Sequence, residues 1–172
     1  MSRRSCFVVL TAGAVIASPA LTQEKSPDLA TIISGHLTAT GQSHDYYDAS
    51  TRGVRVDIHG ESDGAAFKLV EDTTYSDGEK RHWVWRFSRV AEGRYVGRRG
   101  DLIGQATVEA RGNKIGIAYR APYATKDGKT HDLDFKETFV FKHPGIADYW
   151  LAASLLYIPV GEAHLIVRKL PR

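Results

Sequence analysis

The chain has 172 residues, of which 42% are hydrophobic and 25% charged. This is the balance of a globular chain of ordinary domain size, and it excludes wholesale disorder. The 16 Gly and 6 Pro follow no period, which excludes collagen-like and low-complexity architectures, and no repeat of solenoid or propeller length is present.

Residues 1–20 have the three parts of a secretory signal peptide. Arg3 and Arg4 form a charged start, Cys6 to Ala17 an apolar middle, and Ser18-Pro19-Ala20 a small-residue cleavage site. The apolar stretch falls short of the ~20 residues of a membrane span. An N-terminal membrane anchor is the alternative. Cleavage near Ala20 would send the mature chain to the periplasm or the outside, with no transmembrane segment left. Cys6 is the only cysteine, so the mature chain holds no thiol, disulfide, thiolate-bound zinc or iron–sulfur cluster. Cys6 also stands at the start of the apolar run, where a lipid-attachment cysteine would stand at its end. Arg3 and Arg4 account for two of the 23 basic residues, so the remainder carries 21 against 20 acids, a net charge of +1. No nucleic-acid partner is expected at that charge. The densest basic stretch, Arg94 to Arg99, is read as a solvated strand face, with a phosphate or anionic-lipid patch as the alternative.

Residues 21–30 are polar, include Pro27, and are expected to form a short mobile leader to a single domain over 31–172. Beyond them the chain alternates with period two, the mark of antiparallel strands with one buried face. Val54, Val56 and Ile58 share a face, as do Phe67, Leu69, Thr73 and Tyr75, and then Trp83, Trp85 and Phe87. Leu102, Gly104, Ala106, Val108 and Ala110 are read as one strand face. Ile115, Ile117, Tyr119 and Tyr123 form the next, followed by Leu133, Phe135, Phe139 and Phe141. Turn residues fall between the runs, at Ser62-Asp63-Gly64, Ser76-Asp77-Gly78, Glu92-Gly93, Arg111-Gly112-Asn113 and Lys126-Asp127-Gly128. Pairing Tyr75 with Glu79 around a three-residue loop sets Leu69 opposite Trp85, Phe67 opposite Phe87 and Glu71 opposite Trp83, with all stripes facing one way. No segment from 31 to 145 shows helical spacing. Tyr149 to Val160 is almost wholly apolar and ambiguous, and Glu162 to Lys169 reads as a last strand. About nine or ten strands in hairpin order predict an all-β, up-and-down antiparallel barrel of the lipocalin-like kind, with a two-sheet sandwich as the alternative.

The residues Glu71, Tyr75, Asp77-Gly78-Glu79, Trp85, Gly93, Tyr95, Gly97, Asp101, Gly104, Ala106, Gly112-Asn113 and Tyr119 form a combination. With Val160-Gly161 near the end, it resembles a family of small bacterial envelope proteins defined only as a domain of unknown function. Many members are lipoproteins, and they are thought to be lipocalin-like. The likeness runs from about Gly35 to Arg168. The chain departs from the family pattern at Lys114, at Thr138 and at the Lys136-Glu137 pair. The resemblance implies the barrel and an envelope address, and it implies no reaction.

Two carboxylates, Glu71 and Glu137, interrupt apolar faces and are expected inside the barrel. There they would anchor a ligand, form an acid/base pair with nearby tyrosines, or join a network with a buried Arg or water. Tyr75, Trp83, Trp85, Tyr95, Tyr119, Tyr123 and Phe135, together with Glu71, are the predicted ligand-binding set. Asp101 is expected to cap a turn or close the rim. The seven His form no close ligand pair, so neither a metal nor a cofactor is expected. The leading expectation is a monomeric, exported barrel that binds or carries a small apolar or aromatic molecule or a lipid. The alternatives are a small barrel enzyme using Glu71 and Glu137, and a structural envelope module with a filled core.

Overall fold

The alternating runs become ten antiparallel strands, each bonded to its neighbours in sequence. The computed structural model describes residues 29–63, 66–125 and 128–171. The strands are β1 (Gly35–Asp45), β2 (Ser50–Asp63), β3 (Ala66–Tyr75), β4 (Lys80–Ala91), β5 (Arg94–Arg98), β6 (Ala106–Arg111), β7 (Lys114–Ala124), β8 (Thr130–His143), β9 (Ile146–Leu155) and β10 (Ile158–Lys169). A single turn of helix, α1 (Leu29–Ile33), precedes them. β1 closes on β10 through a ladder from Leu37–Lys169 to Asp45–Gly161, so the sheet is a closed barrel and not a sandwich. Gly41 permits this closure, because a Cβ there would lie 2.0 Å from the His164 carbonyl oxygen.

The expected β3–β4 register is observed. Leu69 faces Trp85, Phe67 faces Phe87 and Glu71 faces Trp83. The Tyr75 amide donates to the Glu79 carbonyl at 2.9 Å, and Gly78 takes φ +90° in the loop.

Three expectations are corrected. The run from Leu102 does not start a strand; β6 begins at Ala106, and Gly104 (φ +85°) belongs to the β5–β6 connection. Alternation over 102–106 was accidental, since a left-handed residue cannot continue a strand. The ambiguous stretch from Tyr149 is the end of β9 and the start of β10, joined by Leu156-Tyr157, so the last strand starts at Ile158 and not at Glu162. Pro159 is tolerated there because the ladder shifts register between Pro159 and Gly161. Finally, residues 31–33 are helical as part of α1, which is too short for periodicity to reveal. The signal-peptide reading, the leader up to residue 28, Gly64, Lys126 and Asp127 lie outside the described residues.

The up-and-down order puts α1 and the β2–β3, β4–β5, β6–β7 and β8–β9 connections at one end of the barrel. The other five connections lie at the opposite end. The α1 end is filled on the β3–β6 side by stacked rings, while a second hollow of about 490 Å3 lies on its other side, between Ile32, Leu37, Asn113, Phe141 and Lys169. Phe67 stacks on Phe87 at 4.8 Å between centroids, Phe87 on Trp85 at 5.3 Å, and Tyr95 meets Phe67 edge-on at 5.8 Å. Val108 and Ile115 complete this floor, both almost fully buried. Gly97 makes room for the stack, since a Cβ there would come within 2.9 Å of the Phe87 ring. The helix covers the β2–β3 side of this end. Leu29 is buried, its amide donates to the Tyr95 hydroxyl at 3.4 Å, and Ile33 presses its carbonyl against Gly60, where no Cβ would fit.

Candidate ligand-binding cavity

Above the aromatic floor the barrel is hollow. The cavity measures about 830 Å3 and opens at the end opposite α1. Its walls are aliphatic and aromatic, with Val54, Val56, Ile58, Leu133, Phe135 and Leu165 among them. The alternation of β2, β8 and β10 turns these residues inward.

The polar groups fall into two layers. In the deeper layer Glu71 comes from β3 and Glu137 from β8, on opposite walls. The Tyr119 hydroxyl donates to Glu137 at 2.7 Å, and Tyr149 on β9 gives it a second hydroxyl bond. The Trp85 indole donates to Glu71 at 3.3 Å. Among the described residues Arg99, just past β5, brings the guanidinium to this layer. It lies 4.2 Å from the Trp83 ring centroid, 4.5 Å from that of Trp85 and 5.0 Å from that of Tyr119. Asp101 holds it from the rim side with two bonds of 2.6 and 2.9 Å. Its side chain is only 8% exposed.

This layer shifts protonation. Burial, and then the charge of Glu137, push the Glu71 carboxyl up to about 7, against the opposing pull of Arg99 and the Trp85 indole. Burial also raises Glu137, although the Tyr119 hydroxyl, Arg99 and Tyr149 favour its charged form. Tyr119 and Tyr149 are driven well above the usual phenol range, first by burial and then by Glu137. Both phenols therefore stay protonated donors at neutral pH. The result is a buried layer of hydrogen-bond donors and acceptors, with one carboxyl poised to exchange a proton near neutrality.

The upper layer lies at the mouth. Glu79 accepts from Arg52 at 2.5 Å and from Arg81 at 2.6 Å. Arg52 also reaches Asp77 at 3.2 Å and lies 4.0 Å over the Tyr75 ring. Arg81 packs over Tyr123 at 5.0 Å. These guanidiniums are already paired, so the mouth is a structured rim of alternating charge.

Most of the predicted set converges here. Glu71, Tyr75, Trp83, Tyr119, Tyr123, Phe135 and Glu137 all line the cavity. Trp85 and Tyr95 do not, and their assignment to the lining is corrected. Trp85 lies beneath Arg99 and touches the site through its indole, while Tyr95 is in the packed floor under α1. Asp101 does not cap a turn; it pairs with Arg99. The reading of Arg94 to Arg99 as one solvated face fails at Arg99. Tyr95, Gly97 and Arg99 share one parity and turn inward, so the signal was present in the alternation. Arg52 is likewise in step with Val54 and Val56, and Arg81 with Trp83 and Trp85. Among the described residues no group of three or more His, Cys, Asp and Glu is placed to hold a metal ion.

A family model for "Protein of unknown function (DUF3833)" matches residues 8–146. The chain belongs to this family. No match to it emerges among the curated proteins. Among solved structures it is similar to the S-type phycobiliprotein lyase CPES from Guillardia theta, with a TM-score of 0.58 and 13% identity over 83% of this chain and 92% of that one. At this identity the likeness establishes the shared barrel fold. A second structure, EF1p2_mFAP2b bound to DFHBI, aligns with a TM-score of 0.46 and 12% identity over 86% of this chain and all of that one.

Proposed function

We propose that this barrel binds and carries a small, mainly apolar or aromatic molecule bearing at least one polar group. The observation that carries this reading is the cavity itself. Its volume of about 830 Å3 lies within the roughly 300–1,000 Å3 of small-molecule sites, and a filled structural core would have left no such space. The aromatic and aliphatic wall suits the body of such a ligand. Glu71, Arg99 and Glu137 supply the few convergent polar groups that fix orientation. Native mass spectrometry of the gently purified protein tests it. A bound mass released on denaturation is expected, and Ala163→Trp, which fills the cavity from β10, should abolish it while circular dichroism stays unchanged. A clean apo mass, even after incubation with envelope lipid extract, would defeat carriage.

The cell envelope is the proposed location, supported by the signal-like pattern of residues 1–20. Fractionation of the host and a mature N-terminus near Leu21 would be the supporting result; an intact Met1 in the cytoplasm would refute it.

One observation favours a second reading, acid/base catalysis. Glu71 titrates near neutrality beside open space. If the barrel is an enzyme, Glu71→Gln should abolish turnover of the bound species without releasing it. If it is only a carrier, the bound molecule should be recovered chemically unchanged from both proteins.

A further inference from the structure

The β9–β10 connection is a two-residue hairpin loop, Leu156-Tyr157, closed by the pairing of Leu155 with Ile158. Both loop residues take positive φ, at +50° and +70°. These are the signs of a type I′ turn, a position that selects Asn and Gly and penalises bulky side chains. The chain instead holds two large apolar residues there. They gain nothing by burial, since Leu156 is 75% and Tyr157 96% exposed, and Ile158 beside them is 67% exposed. Strain kept at exposed apolar residues calls for a use outside the fold.

The tip stands at the cavity mouth. Leu155, Val160 and Glu162, at the base of the same hairpin, line the cavity. The Tyr46 amide donates to the Val160 carbonyl at 3.0 Å, which ties the β1–β2 loop to this hairpin. That loop adds Tyr46 and Tyr47, 43% and 77% exposed, and Tyr47 also lines the cavity. The result is one apolar and aromatic lip on one side of the opening.

We propose that this lip inserts into the surface of a lipid bilayer and sets the barrel mouth against it, so that ligand passes between membrane and cavity. The chemistry is that of shallow interfacial insertion, where Tyr sits at headgroup level and Leu and Ile reach the acyl boundary. The size of the patch favours lipid over a second protein. A stable protein interface takes roughly 20–30 residues a side, and this lip offers five on two loops. The acids beside it, Asp45, Asp48 and Glu162, carry no attraction for anionic headgroups. Binding therefore rests on apolar contact, holds on zwitterionic lipid and resists salt. The proposal takes its purpose from the carriage reading and its chemistry from the hairpin alone.

The test is flotation of the full chain with phosphatidylcholine vesicles, and with phosphatidylethanolamine/phosphatidylglycerol vesicles, at low and high salt. The double variant Leu156→Asn with Tyr157→Gly installs the residues the turn prefers, so the fold should be kept and its melting temperature raised. Vesicle binding should fall at least tenfold in this variant, and the wild-type partition should be nearly the same in both lipids and both salts. Equal flotation of variant and wild type would overturn the proposal. So would a wild-type dimer, seen by sedimentation, that the variant abolishes. Native mass spectrometry of both proteins separates the two readings. No bound mass in either, with vesicle binding intact in the wild type, defeats carriage alone. A bound mass in both, with no flotation of the wild type, defeats lipid docking alone.

Discussion

The two ends of the barrel are built from the same strands with the same alternation, and they end in opposite states. At the α1 end the inward positions carry Phe67, Phe87, Tyr95, Val108 and Ile115, and the rings stack into a floor beneath the cavity. At the mouth end the same parity carries Arg52, Glu79 and Arg81, which pair through Glu79 around the rim and leave the centre open. Large apolar side chains fill a barrel by meeting across its axis. Charged side chains stay on the wall, because they hold salt-bridge partners there and lose solvation if pushed inward. Between the two ends lies the layer of Glu71, Arg99 and Glu137, where charge has been carried below the rim at a cost in desolvation.

The largest effect is expected at the packed end. Phe87→Ala removes the ring between Phe67 and Trp85 and should cost about 3–5 kcal/mol in urea unfolding. A comparable truncation on the open wall, Leu155→Ala, should cost under half of that, since the cavity already adjoins it. Equal costs would show that the mouth is as tightly packed as the floor.

Arg99→Met comes next. It leaves Asp101, Glu137 and Glu71 without their guanidinium and should destabilise the protein by roughly 2–4 kcal/mol at pH 8. The deficit should shrink toward pH 5, as Glu71 and Glu137 take up protons. A deficit independent of pH would mean that Arg99 acts by packing on Trp83 alone.

Glu71 sharpens the middle layer. Its folded value of about 7 lies above the ordinary 4.5, so the native state holds this proton more tightly than the unfolded chain does. That contribution is complete below pH 4.5 and is lost as pH rises through 7. Glu71→Gln should therefore be more stable than wild type above pH 7, by about 3 kcal/mol at most, and equal to it near pH 4.5. A flat difference across this range in paired denaturation curves would place Glu71 outside the coupled layer.

The smallest effect is expected at the rim. Arg52→Ala should cost about 1 kcal/mol or less, because its ion pairs lie at the solvent boundary, and should act mainly on the rate of ligand release. A loss of several kcal/mol would move the rim into the structural class of the floor.

Much of the site was legible as parity. Glu71 and Glu137 fall in step with Leu69 and Phe135, and both face inward as expected. Arg52, Arg81 and Arg99 were equally in step with their apolar stripes and were missed, because charge marks the usual end of a buried stripe. Tyr149 was missed for a different reason: a wholly apolar run has no alternation to count. Trp85 and Tyr95 face inward as expected, yet they lie below the cavity, and nothing in a period of two reports depth along the barrel axis.

The barrel, its hairpin order, the β3–β4 register and the inward direction of both glutamates follow from the sequence alone. They depend on strand alternation and turn residues, which act within a few positions. Only the tertiary structure decided which end carries the aromatic floor, where the main hollow begins, and that Arg99 lies among Trp83, Trp85 and Tyr119. Those outcomes depend on side chains from distant strands competing for one volume across the axis, and no local pattern records who their partners are.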